Sequence, residues 1–209
     1  MTSLPAAYVE RIRQQLGDET DAFLRSYDSP RTYGLRMNPL KSANAPEALP
    51  ALLSTLQTEF RIKPVPWCPE GYYYEESARP GKHPFHQAGL IYIQEPSAMI
   101  AAELLDPQPG ELVLDLAAAP GGKTTQIAGK LAGRGLLVAN EIHAGRARIL
   151  AENVERMGIR NAIVTNAAPD ELSSRWPEAF DRIMLDAPCS GEGMFRKDEG
   201  AVAEWSPEA

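Results

Sequence analysis

"DLAAAPGGKTTQIA", residues 115–128, decides how the rest of the chain is read. It follows the apolar run "ELVLDLAAA" (111–119), where Leu112, Val113 and Leu114 suit a strand buried on both faces. It runs on into "GGKTTQIAGKL" (121–131), a helix. Gly121 and Gly122 allow a backbone to approach a ligand closely. The helix start adds free N–H groups and the positive end of a dipole.

Working outward, the pattern repeats. "PSAMIAAELL" (96–105) is a helix opened by proline. "GLLVANEI" (135–142) is a second buried strand, and "AGRARILAENVERMG" (144–158) an amphipathic helix ending at Gly158. "NAIVTN" (161–166) and "FDRIMLDAPC" (180–189) are a third and a fourth strand. Strands and helices alternating at this spacing predict a parallel sheet with right-handed crossovers. Ligands of such sheets sit beyond the carboxyl ends of the strands. Those ends carry Asp115 onward, Glu141, Asn166 and Asp186.

Three ligands compete for the turn. A P-loop needs its first glycine at position 117, which is Ala117, and Pro120 removes an N–H that such a loop would use. A dinucleotide fold needs G-x-G-x-x-G, which is absent. S-adenosylmethionine carries a carboxylate, a ribose diol and an adenine, but no phosphate. It calls for a tight turn at its methionine end and an acidic residue closing the second strand, where Glu141 stands.

The leading residues have another character. "AAYVERIRQQL" (6–16) places Val9, Ile12 and Leu16 at helical intervals, with Gly17 to close. "YGLRMN" (33–38) and "GYYYEE" (71–76) read as strands, and "PEALPALLSTLQTEF" (46–60) as a helix. The expected division is a small α+β domain over 1–90 and an α/β domain over 91–209 with four parallel strands.

Composition narrows the class. The chain has 209 residues, 44% hydrophobic and 23% charged, with a formal net charge of −7. No apolar run approaches the roughly 18 residues of a membrane span. The start lacks a basic region followed by an apolar core, so no signal peptide is expected. Two cysteines, Cys68 and Cys189, form no disulfide framework, which fits a reducing cytoplasm. The acidic balance argues against a broad phosphate-binding face without deciding any one groove. Basic clusters occur at Arg31, Arg36 and Lys41, at Arg146, Arg148, Arg156 and Arg160, and at Arg196-Lys197.

"AAAPGGKT", "QEPSAM" and "DAPCSGEGMFRKD" together resemble the RNA cytosine-5 methyltransferases of the Sun/RsmF type, and "GMFRKD" most resembles the RsmF-like ribosomal RNA branch. The resemblance runs from about residue 30 to residue 209 and includes "YGLRMNPLK" and "HPFHQAGLIYIQEPSAM". It implies a Rossmann-like fold, S-adenosyl-L-methionine as cofactor and ribosomal RNA as partner, with neither DNA nor a membrane. It implies that Ala117, Ala118, Ala119, Pro120, Gly121, Gly122 and Lys123 hold the cofactor and that Glu141 holds its ribose. Asp186 then lies where cofactor meets base, and Pro188 fixes the turn that places Cys189.

In this chemistry a cysteine thiolate adds to carbon 6 of cytosine, which makes carbon 5 able to attack the methyl group. A Pro-Cys pair after a buried strand would by itself nominate Cys189 as that nucleophile. The resemblance instead makes Cys189 the assistant that releases methylated RNA, with the nucleophile in a later Thr-Cys motif. Catalytic candidates are therefore Cys189 and Asp186. Where the family often has an acidic adenine contact, this sequence reads "TNAAPD" (165–170), with Ala167 and Ala168 in that region; Asn166 is the expected substitute and Asp170 the alternative.

A second hypothesis is a non-catalytic RNA-binding or assembly factor that keeps this fold. Single residues have blander readings. His83 and His86 in "HPFH" lack a third ligand, and no metal is expected. Cys68 is a small buried hydrophobe. Tyr72, Tyr73 and Tyr74 either stack on bases or partly face the core. Arg36 either touches RNA or is a surface arginine.

Overall fold

The computed structural model describes residues 4–187, 191–196 and 199–207. Contacts group residues 32–186 into one compact unit and residues 1–31 with 187–209 into another. The expected boundary at residue 90 falls inside the larger unit, which takes in residues 32–90 and leaves residues 1–31 to the other.

The chain opens with α1 (Ala6–Leu16) and α2 (Thr20–Arg25). α1 buries Tyr8 and Ile12, one step round from the predicted Val9–Ile12–Leu16 stripe, and closes at Gly17 with φ +51°. β1 (Tyr33–Met37) and the short α3 (Pro39–Ser42) follow, then α4 (Leu49–Phe60), which buries Leu56 and Phe60. β2 (Lys63–Val65), β3 (Cys68–Tyr74), α5 (Pro84–Gln87) and β4 (Ile91–Ile93) complete an antiparallel sheet ordered β2-β3-β1-β4. β2 and β4 have three residues each, too few to show a period in the sequence.

α6 (Pro96–Leu105) leads into the second sheet: β5 (Leu112–Asp115), α7 (Gly122–Leu131), β6 (Leu136–Asn140), α8 (Ala144–Met157), β7 (Ala162–Thr165), α9 (Pro169–Arg175) and β8 (Arg182–Met184). All pairings are parallel, in the order β7-β6-β5-β8. The fold is Rossmann-like α/β, as expected. The central strands β5 and β6 are buried, whereas the edge strands expose Ile163 and Ile183. α8 buries Ala147, Leu150, Val154 and Met157 at helical spacing and stops at Gly158, φ +72°. The chain winds outward from β5 to β7, then returns to add β8 on the other side of β5. That reversal opens a crevice beyond the carboxyl ends of β5 and β8.

β1 explains why the two sheets share one unit. Leu35 and Met37 enter the apolar cluster with Leu56, Phe60, Ile62 and Ile91. Arg36 and Asn38 point the other way, as alternation requires. There they meet not solvent but α7 and α8. Asn38 Nδ2 donates to the carbonyls of Gly89 and Met157, both at 2.8 Å.

The smaller unit adds α10 (Glu199–Glu204) to α1 and α2. Its core holds Tyr8, Ile12, Phe195 and Val202, with Trp205 edge-on to Tyr8 at 5.7 Å. Arg11 pairs with Glu192, and Arg196 donates to the Ser29 and Pro30 carbonyls. Among the described residues, no helix is long and apolar enough to cross a membrane.

Candidate functional site

A cleft of about 220 Å³ opens at this reversal, beyond the carboxyl ends of the strands where a ligand was expected. Asp115, Ala117, Ala118, Ala119, Pro120, Gly122, Lys123 and Asp186 line one side, and Tyr92, Ile93, Gln94 and Ala98 the other. Seven of the residues read from the sequence thus meet in one place. Gly121, Glu141 and Asn166 stand outside the lining. Cys189 and Pro188 lie outside the described residues.

Gly121 sits at φ +115°, and an added Cβ would come within 3.2 Å of Leu150 Cδ1. An L side chain rarely adopts that conformation. The Ala119–Pro120 bond is cis. Three polar ties hold the loop from behind: Ala118 N–H to the Asn140 carbonyl at 2.8 Å, Arg146 to the Ala119 carbonyl at 2.9 Å, and Asn153 to the Pro120 carbonyl at 2.8 Å. Arg146 and Asn153 are seven apart on α8, so the exposed face of that helix has a job. Arg156, on the same helix, donates to the His86 carbonyl at 2.6 Å, while Arg148 is exposed.

Asn140 is a second clamp that the sequence reading missed. It is 1% exposed. Its amide nitrogen donates to the carbonyls of Leu116 and Ala167, and its oxygen accepts from Thr165 Oγ1 and Ala167 N–H. One side chain thus ties the ends of β5, β6 and β7 together.

Asp115 is the most unusual group in the cleft. It is 1% exposed; Oδ2 accepts from Thr124 at 2.6 Å, while Oδ1 is buried without a hydrogen-bond partner. Burial pushes its pKa up to about 6, the Thr124 hydrogen bond and Lys123 oppose this, and the Asp186 carboxylate adds to it. Across the mouth Lys123 Nζ pairs with Asp186 Oδ2 at 2.5 Å, with the aspartate side chain 61% exposed. An orphaned acceptor inside and a cation–anion pair outside leave the cleft ready for a ligand with donors and a zwitterionic end.

Glu141 is 2% exposed, accepts from His143 N–H at 3.0 Å and lies 3.4 Å from Arg146. Asn166 donates to the Glu141 and Ile142 carbonyls at 2.7 and 2.9 Å, which leaves its oxygen as the side-chain acceptor.

Several readings of single residues need correcting. Arg36 is neither an RNA contact nor a surface arginine: it is 1% exposed. Nε donates to Gln94 at 2.5 Å, and Nη2 to the Gly122 carbonyl at 2.7 Å and Thr125 Oγ1 at 2.8 Å. It also lies 5.5 Å from the centre of the Tyr92 ring, as does Arg156. Lys41, its neighbour in the sequence cluster, donates to the Ala88 and Arg156 carbonyls.

Tyr72 and Tyr74 pack on the β1–α4 cluster and Tyr73 on Val65, Cys68 and Met99. Packing therefore accounts for all three. His83 caps α5 through Nδ1 and faces Glu59 at 3.1 Å through Nε2. Cys68 is buried as expected, with burial pushing its thiol up to about 12. Cys68, Glu70 and Glu103 do lie within 4.8 Å of one another. Glu103, however, is already taken by Lys130 at 2.6 Å and Gln126 at 2.8 Å.

Comparisons with known proteins agree with this picture. A family model described as the N-terminal domain of 16S rRNA methyltransferase RsmF matches residues 4–96, and one described as 16S rRNA methyltransferase RsmB/F matches residues 102–208. Ribosomal RNA small subunit methyltransferase F of Vibrio vulnificus is 42% identical over 214 residues, covering 99% of this chain and 44% of the relative. That of Pectobacterium carotovorum is 39% identical over 216 residues, with the same coverage. The crystal structure of a methyltransferase homolog protein from Pyrococcus horikoshii superposes with a TM-score of 0.79 at 32% identity, covering 95% of this chain and 64% of its own. The chain spans about half the length of the curated relatives it matches.

Proposed function

The chain belongs to the RsmB/F family of 16S rRNA methyltransferases, and from that premise we propose that it binds S-adenosylmethionine in the β5–β8 cleft and takes part in methylating carbon 5 of a cytosine in ribosomal RNA. The observation that carries this is the cleft itself: bare backbone at Ala117–Gly122, the orphaned Asp115 oxygen and the Lys123–Asp186 pair.

The residues fit the cofactor group by group. The free N–H groups opening α7 suit its carboxylate. The unpartnered Asp115 oxygen suits its ammonium. Glu141, closing β6, suits the ribose hydroxyls, and the Asn166 oxygen suits the adenine amine. When bound, the cofactor supplies an electrophilic methyl group on sulfur.

The remaining chemistry concerns the base. A thiolate adds at carbon 6, carbon 5 takes the methyl group, the carbon-5 proton leaves, and the sulfur–carbon 6 bond breaks. Cys68 cannot be that thiolate: it is buried and its thiol is pushed up to about 12. Cys189 is the residue that assists release. In this reading Asp186, paired with Lys123 at the mouth, accepts a proton or hydrogen bond from the base.

Titration calorimetry of the 209-residue chain with S-adenosylmethionine tests the cofactor assignment. Glu141→Gln should weaken binding by about tenfold, since a hydrogen bond to a charged acceptor contributes about 1.5 kcal/mol or more. Absence of binding at millimolar cofactor, or a nucleoside triphosphate bound in its place, would end the proposal. Bisulfite sequencing of small-subunit rRNA from cells with and without the gene tests the base. One protected cytidine should be lost, and an unchanged pattern refutes cytosine-5 methylation.

A further inference from the structure

Arg36 carries a buried positive charge with no carboxylate in hydrogen-bond contact; Glu70 and Glu103 act on it only through space. Its three hydrogen-bond acceptors are the Gln94 amide oxygen, the Gly122 carbonyl and the Thr125 hydroxyl, all neutral. None of the ion pairs among the described residues involves it. A guanidinium taken out of water costs several kcal/mol unless a counter-charge offsets it. Burial lowers its pKa only to about 10, so it is a cation at neutral pH.

Three of its neighbours, Tyr92, Gln94 and Gly122, line the cofactor cleft. The charge therefore stands one residue behind the cleft wall. Gly122 is the first residue of α7, and its peptide bond presents the N–H of Lys123, which has no intrahelical acceptor. A cation bonded to the carbonyl of that peptide polarises it and makes the N–H a stronger donor.

We infer that Arg36 is a positioning residue that directs the α7 N-terminus onto the carboxylate of the cofactor's methionine end, so that the bound anion completes its charge. The inference rests on the cofactor assignment above. Between unit charges at an effective dielectric of about 20, an attraction acting across one peptide unit is worth roughly tenfold or more in affinity. A purely mechanical bolt between β1 and α7 would make the same hydrogen bonds but would not distinguish a ligand with a carboxylate from one without.

Calorimetry with two ligands separates these roles: S-adenosylmethionine and its decarboxylated analogue, which keeps the sulfonium, the amine, the sugar and the base. In Arg36→Met, affinity for S-adenosylmethionine should fall roughly tenfold further than affinity for the analogue. Equal losses for both ligands overturn the inference. Arg36→Lys keeps the charge while breaking the fork, so the ratio of the two affinities should stay within about threefold of wild type even as Tm falls. Should Arg36→Met fail to fold, a collapsed ratio in Arg36→Lys overturns the inference by itself. If wild-type chain binds neither ligand, the cofactor assignment falls and takes this inference with it. If wild type binds both and only the ratios disagree, the role of Arg36 alone falls.

Discussion

Replacing Asp115 by asparagine should make the protein more stable at neutral pH, although the residue sits at the heart of the cleft. The carboxyl is 1% exposed, one oxygen accepts from Thr124 and the other has no hydrogen-bond partner. Its pKa rises from the ordinary 3.8 to about 6, chiefly through burial. The folded state therefore holds a proton that the unfolded chain has released, and stability falls as pH rises from 3.8 to about 6. That gap corresponds to about 3 kcal/mol, lost in full above the folded pKa. Asparagine has the same shape and no charge. Urea unfolding at pH 4 and pH 8 reads the difference between wild type and Asp115→Asn, in which other titrating groups cancel. The variant should match wild type within about 1 kcal/mol at pH 4 and exceed it by about 1–3 kcal/mol at pH 8. A variant less stable than wild type at pH 8, or a difference that does not change with pH, would refute the account of Asp115 as a buried charge held at a cost.

Three further outcomes follow from the packing. Gly121→Ala puts an L side chain at φ +115° against Leu150 and should cost about 1–3 kcal/mol, read by denaturant midpoint. Asn38→Ala orphans the Gly89 and Met157 carbonyls and should cost about 2–4 kcal/mol, with α8 amides near Met157 losing hydrogen-exchange protection. Cys68, buried and with its thiol near 12, should resist iodoacetamide at pH 8 in the folded chain and react only in denaturant, as peptide mapping would show.

The parallel core was legible because its central strands β5 and β6 are buried apolar runs and α8 keeps a clean 3.6-residue period. The loop was legible because two adjacent glycines between a buried strand and a helix have few other uses. What stayed hidden was everything that depends on a second layer. Alternation correctly sends Arg36 and Asn38 to one face of β1, but no local pattern tells whether that face meets water or another sheet's helices. Arg146 and Arg156 of α8 look like part of a solvated stripe until the first is seen on the Ala119 carbonyl and the second on that of His86. Asn140 looks like an ordinary strand end, because its three-way role exists only once β5, β6 and β7 lie side by side. The three tyrosines invite a base-stacking reading only while their packing partners are out of view.

The fastening of β1 to α7 and α8 bears on how the polypeptide comes apart. The two family models meet between residues 96 and 102, which invites cutting the gene there to obtain a minimal cofactor domain. Such a cut would strip the Gly122 carbonyl of Arg36 and the end of α8 of Asn38, baring a polar seam evolved to be dry. The antiparallel and parallel sheets should instead melt together as one cooperative body, with a single calorimetric peak for residues 32–186.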